Sequence, residues 1–190
     1  MFQAAARLLK IRNVVWASSE TILGYPFINP PTYVPLDDDV TSTPEVVCAM
    51  AKDLEERMAQ HYCRWDPELK LIGLRFSNVI DPADYDQFPS FEDDPASRKW
   101  NLWTYIDVRD GAQAVLRALE YQKPGFDYFV IANSDNVMSR SSADLMAEFF
   151  PGTEFRSPVT GTQSLISTEK AQRVLGWTPK HSWRDHQSAT

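Results

Sequence analysis

The stretch STPEVVCAMAKDLEERMAQHY, residues 42 to 62, carries a thiol and an amine, Cys48 and Lys52, four positions apart. On a helix that spacing puts both on one face, one turn from each other. An ammonium beside a sulfur favours the thiolate, so one chemistry open to the pair is that of a nucleophilic cysteine. Such a cysteine also needs a base. His61, His181 and His186 are scattered along the chain, and none is spaced to complete the set. The cysteines and histidines form no cluster with ligand spacing either, which argues against a bound metal. The other polar residues of interest close two apolar runs: Ser18 and Ser19 the first, Ser77 and Asn78 the second.

Hydrophobic patterning predicts the elements that hold these residues. NVVWASS, residues 13 to 19, is a short apolar run of the kind found in strands covered on both faces. The proline-rich GYPFINPPTYVPLDDD that follows cannot be regular structure. Ser42 and Glu45 have capping-box spacing with Pro44 between them, so the long helix is predicted to run from Ser42 or Thr43 to about Tyr62. LKLIGLRFSNVI, residues 69 to 80, reads as a second buried strand, and the acidic stretch from Asp81 to Arg98 as a loop. Asp107 caps a helix that shows Val108, Ala112, Val115 and Leu119 on one face. GFDYFVIAN, residues 125 to 133, is a third strand, SRSSADLMAEFF a helix, and STEKAQRVLGW a short helix ended by Gly176.

Strands alternating with helices imply an α/β fold with a parallel sheet. Ligands of such sheets lie beyond the carboxyl ends of the strands, where Ser18, Ser19, Ser77 and Asn78 fall. Trp100, Trp103 and Tyr105 either line a substrate pocket or pack in the core.

Bulk properties narrow the function further. A 190-residue chain that is 43% hydrophobic and 24% charged can bury a sizeable core as one domain. A net charge of −7 disfavours nucleic-acid binding, which relies on a basic face. The sequence has no run of 18 apolar residues that would span a membrane. The opening MFQAAARLLKIRN is basic and free of acids; it reads as an amphipathic helix burying Phe2, Ala5, Ala6 and Leu9, with a transit peptide as the other reading. Cys48 and Cys63 on one helix would lie about 22 Å apart at roughly 1.5 Å per residue, far beyond bridging distance. A reduced, cytoplasmic setting is expected.

Taken together, VVWASSETILG, CAMAK, GLRFSNVIDP, YIDVRDGAQAVLRALE, VIANSDNVMS and STEKAQRVLGW resemble, in order and spacing, an extended short-chain dehydrogenase/reductase. The nearest branch is the NAD-dependent epimerase/dehydratase family, which includes UDP-glucose 4-epimerases. The resemblance implies part of a Rossmann-like parallel sheet, residues 1–80 and 105–135, with a small α/β substrate-binding part, residues 81–104 and 136–190. It implies NAD or NADP as cofactor and a sugar nucleotide or similar small molecule as substrate. In that family a serine holds the substrate oxygen, and a tyrosine and lysine spaced Y-x-x-x-K move its proton while hydride passes to nicotinamide. The lysine charge stabilises the phenolate.

Carried over, the resemblance assigns the serine role to Ser19, counted back from Gly24, and the lysine role to Lys52. Cys48 falls on the tyrosine. The implied catalytic set is thus Ser19, Cys48 and Lys52; the cofactor contacts are Ser18, Lys52 and Asn78; the substrate contacts are Ser19, Thr21, Asn78 and Trp103. Glu20 and Thr21 occupy places where sugar 4,6-dehydratases have an Asp and a Glu that eliminate water, and Thr21 cannot act as that acid or base.

Two departures stand out. A thiol, with an ordinary pKa near ~8.5 against ~10 for a phenol, ionises readily, yet Cys48 is too short to reach a substrate oxygen where tyrosine would. The seven glycines, at 24, 73, 111, 125, 152, 161 and 176, include no pair three or fewer apart, so the Gly-rich pyrophosphate turn of the family is not in this sequence. The family order then implies that about the first four strands are missing and that NVVWAS offers an open edge for another chain, with a homo-oligomer as one outcome. A truncated, inactive oxidoreductase is the expected function, and a non-catalytic interaction module the alternative.

Overall fold

The computed structural model describes residues 1–187. Three parallel strands form the main sheet: β1 (Asn13–Ser19), β3 (Lys70–Phe76) and β6 (Gly125–Ile131), in the spatial order β1–β3–β6. Their registers place Ser19 beside Phe76 and Phe76 beside Ile131, so the three carboxyl ends lie level. Helix α1 (Val47–Trp65) covers one face of this sheet, and α2 (Val108–Glu120) with α4 (Glu169–Leu175) cover the other. Both faces being covered explains why β3 is buried along nearly all of its length.

On the α1 face Trp16 packs against Gly73, where a Cβ would come within 3.1 Å of the indole. Phe2, Leu69, Leu71 and Ala59 complete that cluster. On the other face Ile72, Leu74, Phe129 and Ile131 meet Ala114 and Ala118 of α2 and Trp177 beyond α4. A separate apolar core gathers beyond the strand ends and takes in Tyr85, Phe88, Trp103, Tyr105 and Trp183. It also includes Leu23, Tyr25 and Leu36, so segments before residue 80 share it with those after.

Short pairs finish the architecture: β2 (Tyr33–Val34) with β7 (Glu154–Phe155), and β4 (Val79–Ile80) with β5 (Ile106–Asp107). Helices α3 (Ser142–Phe149) and α5 (Trp183–Gln187) lie in the second half of the chain. The caps foreseen at Asp107 and Gly176 are present: the Asp107 carboxylate accepts from the Arg109 N–H at 2.7 Å, and Gly176 ends α4 with φ 61°. Among the described residues no strand pairs with the outer edge of β1. At the other edge the Asp38 carboxylate accepts from the Val130 N–H of β6 at 2.9 Å. No helix among them is long and apolar enough to cross a membrane, and no group of His, Cys, Asp or Glu is arranged to hold a metal.

Four expectations are corrected. Helix α1 starts at Val47 rather than at Ser42 or Thr43, and no side chain caps it. The Thr43 N–H instead donates to the Ile22 carbonyl at 3.1 Å, which ties the lead-in to the turn after β1; Thr43 also precedes a proline, a position that avoids helical backbone. The strand read over residues 69 to 80 breaks at Ser77 and Asn78, where the chain leaves the sheet. The acidic stretch read as loop holds two 3₁₀ segments, Pro82–Glu92 and Pro95–Asn101. At the amino end Gln3–Leu8 forms a π-helical turn that buries Phe2 but leaves Leu9 68% exposed.

Candidate functional site

Alternation along β1 decides what its terminal serines can do. Ser18 shares the α1 face with Trp16, and its hydroxyl donates to Glu56 of α1 at 2.6 Å. Glu56 in turn accepts two bonds from Arg75 of β3, at 3.0 and 2.7 Å, and all three side chains are buried. The Ser18 hydroxyl, expected to meet a cofactor, is therefore committed inside the fold.

Ser19 is half-buried at the strand end. Its hydroxyl oxygen accepts from the Thr21 N–H at 3.2 Å and from the Thr21 hydroxyl at 2.9 Å, capping a 3₁₀ turn over Glu20–Leu23. Those two bonds use its acceptor capacity and leave its own proton for an outside oxygen. Thr21 thus acts first as a partner of Ser19.

Lys52 reaches back from the second turn of α1. Its ammonium donates to the Ala17 carbonyl at 2.8 Å and to Glu55 at 3.1 Å. Of the two carboxylates one turn away, Glu55 takes the lysine and Glu56 takes Arg75. Cys48, in the first turn of α1, is an exposed free thiol. The helix therefore brings Lys52 to within two residues of Ser19, while one turn earlier the exposed position holds a thiol and no phenol.

Asn78 lies two residues past the end of β3. Its carbonyl accepts from the Ile106 N–H at 2.9 Å, and its amide oxygen, oriented to satisfy both groups, faces the Arg98 guanidinium at 3.1 and 3.2 Å. Trp103 does not line a pocket: it has no exposed surface, its indole N–H donates to the Pro95 carbonyl at 2.8 Å, and its ring packs on Phe149.

Between these residues lies a buried polar cluster that hydrophobic patterning does not reveal. Glu20, 3% exposed, turns inward, where the Thr104 hydroxyl donates to it at 3.3 Å. Burial pushes its carboxyl up to about 7, although Ser77, Thr104, Arg98 and Asn101 all pull the other way. The Ser77 hydroxyl donates to Thr104 at 3.1 Å, and the buried Tyr25 hydroxyl lies close enough to Glu20 for that charge to raise its pKa further. A cavity of about 360 Å³ opens beside the same turn, walled by Gly24, Tyr33, Thr43, Glu45 and Arg156 among others; Ser19, Cys48 and Lys52 are not on its wall.

No protein-family model matches this chain, and no curated protein matches its sequence. Solved structures do match it, over nearly its whole length. A UDP-N-acetylglucosamine 4-epimerase from Bacillus cereus does so with a TM-score of 0.62 at 18% identity, covering 94% of this chain and 62% of that one. MoeE5 in complex with UDP-glucose and NAD gives 0.61 at 20% identity, covering 97% and 68%. A short-chain dehydrogenase/reductase superfamily protein from Agrobacterium tumefaciens with bound NAD gives 0.64 at 18%, covering 98% and 70%. The fold is Rossmann-like. In this Rossmann-like sheet Ser19 and Asn78 stand at the carboxyl ends of β1 and β3, the side on which such folds receive ligands. The chain spans less than two thirds of the length of the Bacillus cereus epimerase.

Proposed function

We propose that these residues build the substrate-holding and relay side of an NAD(P)-linked oxidoreductase acting on a sugar nucleotide or similar sugar. The observation that carries this reading is the placement of Lys52 on the Ala17 carbonyl, next to Ser19, at the carboxyl end of a parallel sheet. In this reading Ser19 donates its free proton to the substrate oxygen. Lys52 places a positive charge beside that oxygen and offers its third N–H to a ribose hydroxyl. Asn78 faces the substrate from β3. A bound nicotinamide would supply the hydride chemistry. No Gly-rich turn among these 190 residues cradles a pyrophosphate, and Cys48 is no substitute for a phenol, so the chain by itself is proposed to lack turnover. That UDP-glucose and NAD are the ligands named for MoeE5, and NAD for the Agrobacterium protein, supports the choice of ligand class.

Calorimetric titration of monodisperse protein with NAD and NADH tests the proposal. Micromolar binding supports it; the absence of binding at millimolar cofactor removes the cofactor from the reading.

A second reading has its own observation. Val47, Met50, Leu54 and Met58 form an exposed apolar row along α1, each at least 45% exposed. An interaction module that pairs with a second copy through this row and the open edge of β1 would show a stable dimer mass by light scattering.

A further inference from the structure

A second polar constellation lies away from Ser19 and Lys52, where residues 177 to 186 cross the start of α2. Asp110, 1% exposed, turns its carboxylate to that segment. Its Oδ2 accepts from the backbone N–H groups of Lys180 and His181, each at 2.9 Å. Its Oδ1 faces His181 Nδ1 at 2.9 Å, and its main-chain carbonyl accepts from the Trp177 indole N–H at 2.9 Å. A carboxylate only accepts, so Nδ1 carries the proton and the ring's lone pair falls to Nε2. A buried partner thus fixes the imidazole in one tautomer, the arrangement that suits a general base.

The ring is not buried with that partner. The His181 side chain is 36% exposed and stands on the wall of a cavity of about 240 Å³, with Pro82, Tyr85, Arg109, Ser182 and His186. Arg109 spends Nε and Nη2 on the buried Asp107 carboxylate, at 2.9 and 2.7 Å, which leaves its Nη1 donors. The two hydroxyls are already committed: Tyr85 donates to Asp107, and Ser182 to Asp135 at 2.7 Å. What remains on this one cavity is a base and a donor fork, the two parts that transfer of an acyl group to water requires. Asp185 also lines the cavity, and Asp86 stands 3.7 Å from His186. Those carboxylates disfavour an anionic substrate and favour a neutral one.

We propose that this cavity is a second catalytic site, one that hydrolyses small neutral carboxylic esters with His181 as general base. Nε2 takes a proton from water as the water oxygen bonds to the ester carbon. Arg109 Nη1 donates to the carbonyl oxygen as that oxygen gains charge. When the bond to the alcohol oxygen breaks, the imidazolium returns its proton to the departing alkoxide. Water and ester become acid and alcohol, and no oxidant or cofactor is consumed. Asp110 is a positioning residue, because it holds the ring and does not meet the substrate. The site shares no residue with the oxidoreductase reading and stands or falls apart from it.

The test is steady-state hydrolysis of p-nitrophenyl acetate by the full chain, without cofactor. Rates are taken after the first turnover, so that acylation of the exposed Cys48 thiol does not count. Saturable turnover is expected. His181→Gln should cut kcat/KM on the order of 100-fold. Arg109→Met should cut it at least about ten-fold. Asp110→Asn should lower kcat while KM stays within about threefold, a split that mere loosening of the segment would not give. Should either of the last two variants fold poorly by circular dichroism, His181→Gln decides. A rate that does not saturate, or a His181→Gln rate within about twofold of the parent, overturns the proposal. So does a folded Arg109→Met variant as fast as its parent.

Discussion

The ammonium of Lys52 lies 2.8 Å from the carbonyl oxygen of Ala17, two residues before Ser19 on the same strand. One contact thus ties the second turn of α1 to the end of β1. The charge of Lys52 is only partly compensated, since Glu55 at 3.1 Å is itself one-third exposed and screened by water. Lys52→Met should therefore change stability by about 1 kcal/mol or less. Under the proposed function it should also weaken NADH binding at least ten-fold. Paired thermal melts and NADH titrations separate the two effects, and a variant that binds NADH as the parent does removes Lys52 from the cofactor site.

Glu56 and Arg75 illustrate the opposite case. Their side chains are 6% and 4% exposed, and Arg75 also stacks on Tyr128 with its guanidinium 3.7 Å from the ring centroid. Removing one partner strands a buried charge, which costs about 3–5 kcal/mol. Glu56→Gln is expected to lower the urea midpoint accordingly. Ser18→Ala, which deletes one hydrogen bond to the carboxylate, should cost nearer ~1–3 kcal/mol. A Glu56→Gln loss no larger than that of Ser18→Ala would show that water reaches the pair.

The two thiols should react at different rates. Cys48 is exposed, whereas Cys63 is half-buried, donates to the Leu69 carbonyl at 3.6 Å and is pushed up to about 11 by burial. Attack by Ellman's reagent requires thiolate and access, so one thiol is expected to react rapidly and one slowly at pH 8. Cys48→Tyr should remove the fast phase alone and, at a solvent-facing helical position, leave stability within about 0.5 kcal/mol of the parent. Two fast thiols would contradict the packing of Cys63 against β3.

Much of the scaffold is legible in the chain because local and tertiary preferences agree there. NVVWASS has the apolar pattern of a buried strand and forms one in the sheet, and Asp107 and Gly176 cap helices through bonds made within a few residues. Capping-box spacing at Ser42 misleads because Thr43 finds a better partner in Ile22, some twenty residues earlier, and no local pattern encodes that bond. Ser18 could have been placed from sequence: strand parity sets it on the same face as Trp16, under a helix rather than at an open end. Glu20 and Arg98 could not. Charged residues next to serines and prolines read as surface, and only the fold brings the two to one buried cluster with Ser77, Asn101 and Thr104.

That cluster sets the pH dependence of folding. The Glu20 carboxyl ionises near its ordinary 4.5 when unfolded but holds its proton to about pH 7 in the folded chain. Between those values the unfolded state binds fewer protons than the folded state, so the Glu20 contribution to stability falls as pH rises through the window, by an order of ~3 kcal/mol. Asp38, raised to about 6 from 3.8 by burial, acts in the same direction over an overlapping range. Asp107, lowered to about 2 by Arg109 and Tyr85 against the opposing effect of burial, adds stability that is lost only below pH 4. The parent profile alone therefore mixes two groups, and the difference between parent and Glu20→Gln isolates one. Glutamine keeps the shape and cannot ionise, so it should stabilise the chain clearly at pH 8 and much less at pH 5. Chemical denaturation at both pH values measures this difference; a Glu20→Gln effect that is the same at pH 5 and pH 8 would mean that Glu20 titrates as an ordinary, hydrated carboxyl.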